Sequence, residues 1–308
     1  MILNEKAKYF FSLFAKIVIA IVAFYFIYQK ILIQPWGEIE SKIVEIDRVN
    51  LFFLIPVFLI SIINWLAEVY KWQVLSSFFK PISFLESFKI VLSSFAVSTV
   101  TPNRVGEYGA KIAYYDKSLW KSILSYNFLG NMMQLLVTLL MVVMSFYFLS
   151  DVIFGELPIY GYVSLVVFSF VLVVFLFKNN LKLSLPWLSK NIELKLWRTV
   201  SIQSRLKILT ISVIRYLAFS IQFLLILSVF EGVNVFWMFP IIALYYLIVS
   251  VIPTIFISDL LVKGSVSIFL FSLVFVDEIT IVAVVLLAWV FNFVIPTLIG
   301  ILLLFRKN

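Results

Sequence analysis

The residues able to do chemistry are few and gather in two places. Residues 98–111 read Ser-Thr-Val-Thr-Pro-Asn-Arg-Val-Gly-Glu-Tyr-Gly-Ala-Lys, which sets Arg104, Glu107 and Lys111 among the helix breakers Pro102, Gly106 and Gly109. The second place holds Pro253, then Ser258, Asp259, Lys263 and Gly264. In each, a carboxylate stands one helical turn before a lysine, Glu107 before Lys111 and Asp259 before Lys263. That spacing puts both ions on one helix face, where they partly neutralise each other in a low dielectric. Fixed ions of this kind can hold an anionic group or exchange protons, and they serve equally as structural glue; spacing alone leaves both readings open. Arg215, far inside an apolar run, needs an anionic partner or a cavity, and Glu68 near the end of another run completes the candidate set. The chain has no histidine and no cysteine, which excludes disulfides, thiol nucleophiles, imidazole bases and the usual zinc ligand sets. No catalytic residue, metal or cofactor is expected.

The elements that must position these ions are membrane spans. Of 308 residues 63% are hydrophobic and 13% charged, more apolar surface than a soluble domain hides, so residues 1–308 read as a single all-α polytopic membrane domain. Long apolar runs place six spans at about 9–33, 51–70, 122–149, 160–177, 208–230 and 279–305. The first follows Lys6 and Lys8, is too long for a signal-peptide core and shows no small-x-small cleavage site, so it reads as retained. Residues 36–49 alternate Glu38, Glu40, Lys42, Glu45, Asp47 and Arg48 with isoleucines and a valine, as an interfacial helix does. The second span ends in Asn64, Trp65, Glu68, Lys71 and Trp72, the polar and aromatic mixture expected at a headgroup interface. Pro81, with Ser83 and Glu86 three residues later, marks a capping box at the start of the next helix.

The net charge is +8, and its distribution orients the chain. Basic residues between 71 and 89, Lys117 with Lys121, and above all the loop 178–207 place those connections in the cytoplasm, the last able to lie on anionic headgroups. The acidic connections at Asp151 and Glu156, at Glu231, and at Asp277 and Glu278 fall outside. Both termini, with Lys6 and Lys8 at one end and Arg306 and Lys307 at the other, are then cytoplasmic.

Apolar pieces at 90–100 and 236–252 are shorter than the roughly 20 residues needed to cross a bilayer. Each stops at a proline, Pro102 or Pro253, and the chain is expected to turn back there, leaving irregular backbone around Gly106 and Gly109 that faces a cavity and not lipid. A kinked single span is the other reading of each piece. With two re-entrant hairpins the chain divides into pseudo-repeats 1–150 and 151–308, each with three spans and one broken hairpin. An odd number of crossings inverts the second copy relative to the first, and the hairpins meet near the midplane from opposite faces. The remaining polar residues in apolar runs, Asn127, Asn131, Gln134, Gln222 and Asn292, read as interhelical hydrogen-bonding groups.

The segment Thr101-Pro-Asn-Arg-Val-Gly-Glu107 resembles the Pro-x-Arg-x-Gly-Glu signature of the lysylphosphatidylglycerol synthase transmembrane-region family, the flippase-like membrane domain. Ile252 to Asp259 with Lys263 and Gly264 is similar to that family's second motif, with Asp259 and Lys263 where Glu and Arg are usual. The resemblance covers essentially the whole chain, in which the soluble aminoacyl-transferase domain of some relatives, and with it lysine transfer to lipid, is not expected. It implies a bacterial cytoplasmic-membrane flippase or transporter for a phospholipid or other lipid-linked anion. A phosphate headgroup would enter a seam lined by Arg104 and Lys111 on one side and Lys263 on the other, with acyl chains left in lipid. Two other classes remain: a membrane enzyme acting on a lipid-linked phosphate or sugar, for which the catalytic inventory is thin, and a scaffold docking a separate synthase through the loop 178–207. The partners expected are membrane lipids, anionic ones first, and a synthase or a second copy of the chain; no nucleic acid is expected.

Overall fold

Proline and capping chemistry set the helix boundaries, and apolar length sets which helices can cross a bilayer. The computed structural model describes residues 41, 54–98, 105–149, 159–177, 200–231, 235–252, 256–274 and 276–305. The expected first span, the interfacial helix at 36–49, the turning points Pro102 and Pro253, Arg104, the loop 178–199 and the charged ends lie outside the described residues.

In chain order the helices are α1 (Leu54–Ser76), α2 (Phe84–Ser98), α3 (Val105–Ile112), α4 (Trp120–Leu149), α5 (Ile159–Phe177), α6 (Ile202–Glu231), α7 (Phe239–Val251), α8 (Phe256–Ser272), α9 (Glu278–Trp289) and α10 (Ile295–Phe305). Among the described residues there is no strand. Four stretches are long and apolar enough to cross a membrane, Leu54–Ser76, Lys117–Phe146, Ile202–Phe230 and Glu278–Leu303, and the chain is an all-α, multi-pass membrane protein. On α5 the side chains of Val163, Val167 and Phe170 are exposed, the surface a helix presents to lipid.

Local chemistry explains the ends. At α2 the capping box forms as expected: the Ser83 N–H donates to Glu86 Oε2 at 2.7 Å and the Glu86 N–H donates to Ser83 Oγ at 3.2 Å. Helix α9 is capped by Asp277, whose carboxylate accepts from the Thr280 N–H at 3.1 Å, satisfying a backbone donor that hydrocarbon could not. Between α9 and α10, Val290–Val294 widens into a π turn in which the Ile295 N–H reaches back to the Val290 carbonyl. Pro296 gives the reason, since it has no N–H and its ring would collide with the carbonyl of Asn292 in an unbroken α-helix.

Four expectations change. The backbone around Gly106 and Gly109 is helical from Val105, because an apolar setting favours closing intrahelical hydrogen bonds over leaving them open. Gly264 likewise lies inside α8. The basic loop ends earlier than residue 207: α6 begins at Ile202, and Arg205 is buried with its Nη1 donating to the Leu176 carbonyl at 2.8 Å. Finally, α1 continues to Ser76, beyond the end expected at residue 70, and Glu68, Lys71 and Trp72 are buried inside the protein.

The most extensive helix contact is between α1 and α6. Around it, α2 packs along α10 and α7 packs along α4, so each short helix leans on the long helix that follows the other short one. The first of these seats is very close: a Cβ at Gly300 would lie 2.0 Å from the Leu92 carbonyl oxygen. One apolar core joins Phe223 and Leu227 of α6 to Ile242 of α7, Phe271 of α8 and Val284 of α9. The other joins Val69 and Trp72 of α1 to Val91 of α2 and to Ile123 and Met133 of α4.

Candidate functional site

Between these two cores runs a polar seam built at helical spacing. On α1 the residues Ser61, Asn64, Glu68 and Lys71 recur every three or four positions and are all buried, forming one polar face on an apolar helix. Helix α4 presents a similar face with Asn127, Asn131, Gln134 and Thr138. Helix α6 adds Arg215 and Gln222, two turns apart, α3 adds Glu107 and Lys111, and the π turn adds Asn292.

The ions form two centres. In the first, Glu68 Oε2 forms ion pairs with Lys71 Nζ, at 2.8 Å, and with Arg215 Nη1. Arg215 donates further through Nε to Asn64 Oδ1 at 3.2 Å and through Nη1 to Gln134 Oε1 at 3.3 Å. In the second, Lys111 Nζ donates to Glu107 Oε1 and to Asn127 Oδ1, each at 2.6 Å, and lies 4.3 Å from the centroid of the Trp72 ring. These groups are nearly sealed from solvent: Lys71 and Lys111 are 1% exposed, Glu68 5% and Glu107 8%. Three cations against two carboxylates leave this described cluster with one positive charge in excess.

A relay of amides leads away from the first centre. Asn64 Nδ2 donates to Asn292 Oδ1 at 3.1 Å, Asn292 Nδ2 donates to Gln222 Oε1, and Gln222 Nε2 donates to Ser61 Oγ at 2.5 Å. Beginning at the guanidinium, every link is donor to acceptor in the same direction, so the chain polarises consistently while tying α1, α6 and the π turn together.

The relay borders a cavity of about 280 Å³. Arg215, Asn64, Gln134, Asn292 and Lys263 bring polar atoms to its wall, and Phe95, Phe219, Trp289 and Phe293 are among the aromatic rings that make up much of the remainder. Lys263 lies on α8 with its Nζ 5.8 Å from the centroid of the Phe293 ring. A concave, mostly apolar chamber with a few convergent polar groups is the usual form of a small-ligand site.

The structure brings Glu68 and Arg215 together, and Arg215 and Lys263 to one cavity, although 147 positions separate the first two and the last two come from different helices. It pairs Glu107 with Lys111, which Trp72 and Asn127 enclose, and neither is among the residues that line this cavity; Arg104, the other cation expected on that side, lies outside the described residues. Asp259 lies on α8 one turn before Lys263. Gly109 and Gly264 have open space around them, with no neighbour within 4 Å of an added Cβ. The sequence reading passed over Lys71 as part of an interface. It treated Asn64 the same way, and the run Ser61, Asn64, Glu68, Lys71 at spacings of three, four and three was the signal that would have found both.

No family model matches the chain, and no curated protein matches it.

Proposed function

We propose that this protein is a flippase-like transporter of the bacterial cytoplasmic membrane that moves an anionic phospholipid or lipid-linked phosphate between leaflets. The observation that carries the reading is the cavity, where Arg215 and Lys263 stand in a wall of aromatic rings. Taking a phosphate headgroup through hydrocarbon is costly, and a chamber with fixed cations lowers that cost while aromatic surface accommodates the adjoining apolar part. The excess positive charge of the cluster behind Arg215 favours an anion over a cation.

Two supports come from architecture. Helix α7 has 13 residues and ends at an extended Ile252, short for a crossing of roughly 20, which agrees with a re-entrant hairpin in the second half. The exchanged seats of α2 on α10 and α7 on α4 agree with inverted pseudo-repeats 1–150 and 151–308 around the α1–α6 contact. The resemblance of residues 101–107 to the lysylphosphatidylglycerol synthase transmembrane-region family points the same way.

Reconstitution in vesicles with a fluorescent anionic lipid, followed by chemical quenching of the outer leaflet, tests the function. Arg215→Gln and Lys263→Gln should each slow translocation by at least about tenfold, as expected for losing a charge-assisted contact. Full-rate translocation by the double variant removes the cavity from the pathway.

A further inference from the structure

The hydrogen bonds of the cavity wall leave both donors and acceptors over. Arg215 directs Nε to Asn64 Oδ1 and Nη1 to Gln134 Oε1 and Glu68, so Nη2, which carries two N–H groups, has no partner among the described residues. Asn292 is the reverse case. Both of its N–H groups are taken, by the Gln222 amide oxygen and the Ala288 carbonyl, while its Oδ1 accepts only from Asn64. Gln134 Oε1 likewise accepts only from Arg215. An amide oxygen has two lone pairs, so Asn292 and Gln134 each keep one acceptor position on the wall that also holds the guanidinium. A bare phosphodiester only accepts; it would satisfy Arg215 and set its own oxygens against those of the amides. A hydroxyl both accepts and donates, and suits both kinds of group at once. The apolar part of the wall adds a shape. Trp289 and Phe293 both line the cavity and lie nearly parallel, with ring centroids 5.8 Å apart and planes at 29°. Such a surface suits the C–H face of a saturated six-membered ring, whose slightly positive hydrogens meet the negative faces of the aromatics.

We infer that the headgroup taken by this cavity carries a hydroxylated six-membered ring, a sugar or a cyclitol, beyond its phosphodiester. The inference rests on the lipid-transport reading and narrows its substrate class. Arg215 and Lys263 meet the phosphate charge, ring hydroxyls donate to Gln134 and Asn292, and one face of the ring lies on Trp289 and Phe293. The cavity volume of about 280 Å³ is close to the lower end of ligand pockets, which suits a headgroup whose acyl chains stay in lipid. An ammonium headgroup also donates, but Arg215 stands on the same wall and repels it. Gln134 and Trp289 are in this view specificity-determining residues, since they touch the ring and not the phosphate.

The test uses the full chain in phosphatidylcholine nanodiscs and three lipids with the same acyl chains and the same single charge: phosphatidylinositol (hydroxylated ring), phosphatidylglycerol (open-chain diol) and phosphatidylethanol (ethyl cap). Binding is counted by native mass spectrometry. Phosphatidylinositol should be favoured over phosphatidylethanol by about tenfold, the effect of one or two added hydrogen bonds, with phosphatidylglycerol between them. Gln134→Leu removes an acceptor, and Trp289→Leu keeps an apolar wall without a ring face; each should bring that preference down to about threefold or less. Because the readout is a ratio of two lipids on one protein, a general loss of fit cancels. Phosphatidylinositol bound no better than either other lipid by the unchanged protein, or an undiminished ratio in both variants, overturns the inference. Should a variant fail to fold, the ranking of the three lipids on the unchanged protein still decides. Free inositol at the same concentration should leave phosphatidylinositol bound; displacement would mean that the cavity takes soluble polyols, and overturns the lipid assignment. Failure of all three anionic lipids to bind in preference to phosphatidylcholine is a different result and overturns the transport reading itself.

Discussion

Both ionic centres pair a buried glutamate with a lysine on the same helix, and they differ in what else each glutamate meets. Glu107 and Lys111 form a one-to-one pair, closed over by Trp72 and Asn127 and away from the cavity. Glu68 is shared by two cations, and one of them, Arg215, reaches the cavity wall. The lesson is that stoichiometry and access, and not the spacing of charges along a helix, separate a matched, enclosed ion pair from one whose second cation reaches a cavity wall. Matched and sealed, the first is complete without a ligand. The second has cationic capacity beyond what its single carboxylate satisfies.

The sharpest way to break that contrast is to remove each carboxylate in turn. Glu68→Ala strands Lys71 and Arg215 without their shared partner and should cost about 3–5 kcal/mol, the range for one member of a buried pair. Glu107→Ala strands a single lysine that still has Asn127 and the Trp72 face, and its loss should be visibly smaller. Thermal unfolding of both variants in the same detergent makes the comparison; equal losses would erase the difference between the centres.

The hairpin centre was easy to find in the sequence because both of its ions lie on one short helix. The cavity centre was hard because it is assembled from α1, α6, α8 and the π turn, and nothing local announces that residues 68 and 215 touch. Arg215 could only be flagged as in need of a partner. Among the described residues the long apolar helices were legible to within six residues at their ends, since apolar length is a one-dimensional property, and the start of α2 was legible because a capping box is a local signal. The π turn was not foreseen, although Pro296 supplied its cause, because the choice between kink and π turn depends on what the widened turn touches. Here it delivers Asn292 to Asn64 and Gln222.

If the sealed centre only braces the hairpin, then close packing and not ion pairing seats α2. Gly300→Leu tests this, because even a Cβ there meets Leu92 backbone atoms at 2.0 and 2.7 Å, and backbone cannot rotate aside as a side chain can. A loss of about 1–3 kcal/mol is expected, with α2 becoming more accessible to protease or hydrogen exchange. Gly109→Ala, with open space around it, is the matched control and should be neutral or slightly stabilising by helix propensity. An unaffected Gly300→Leu would put the hairpin's attachment back on the ions.

The open centre depends on neutral groups too. Asn292→Leu deletes the middle of the relay, leaving the Asn64 amide and the Gln222 carbonyl without this partner inside the protein; about 1–2 kcal/mol should be lost. The decisive readout is anionic-lipid affinity, which should fall because Asn64 no longer holds the Arg215 guanidinium in register. Stability lost with affinity unchanged would mean that the relay fastens helices and does not orient the cation.

The smallest effect is expected at the start of α2, where the exposed Ser83 and Glu86 bond to each other and to neither centre, and it calibrates the others. Ser83→Ala removes one half of a capping box and should cost about 1 kcal/mol with no change in lipid binding. The hydrogen bond from the Ser83 backbone N–H, first, and the nearby Ser83 side chain, second, hold the Glu86 carboxyl below its ordinary 4.5. A carboxyl depressed by folding contributes its stability above the unfolded value, and the contribution fades as pH falls through 4.5 and on through the lower folded value. The unchanged protein should therefore lose stability over that acid window by slightly more than Ser83→Ala does, so the two melting curves converge on acidification. Parallel curves would show that the cap works through geometry alone, and any accompanying change in lipid binding would show that the start of α2 is coupled to the cavity.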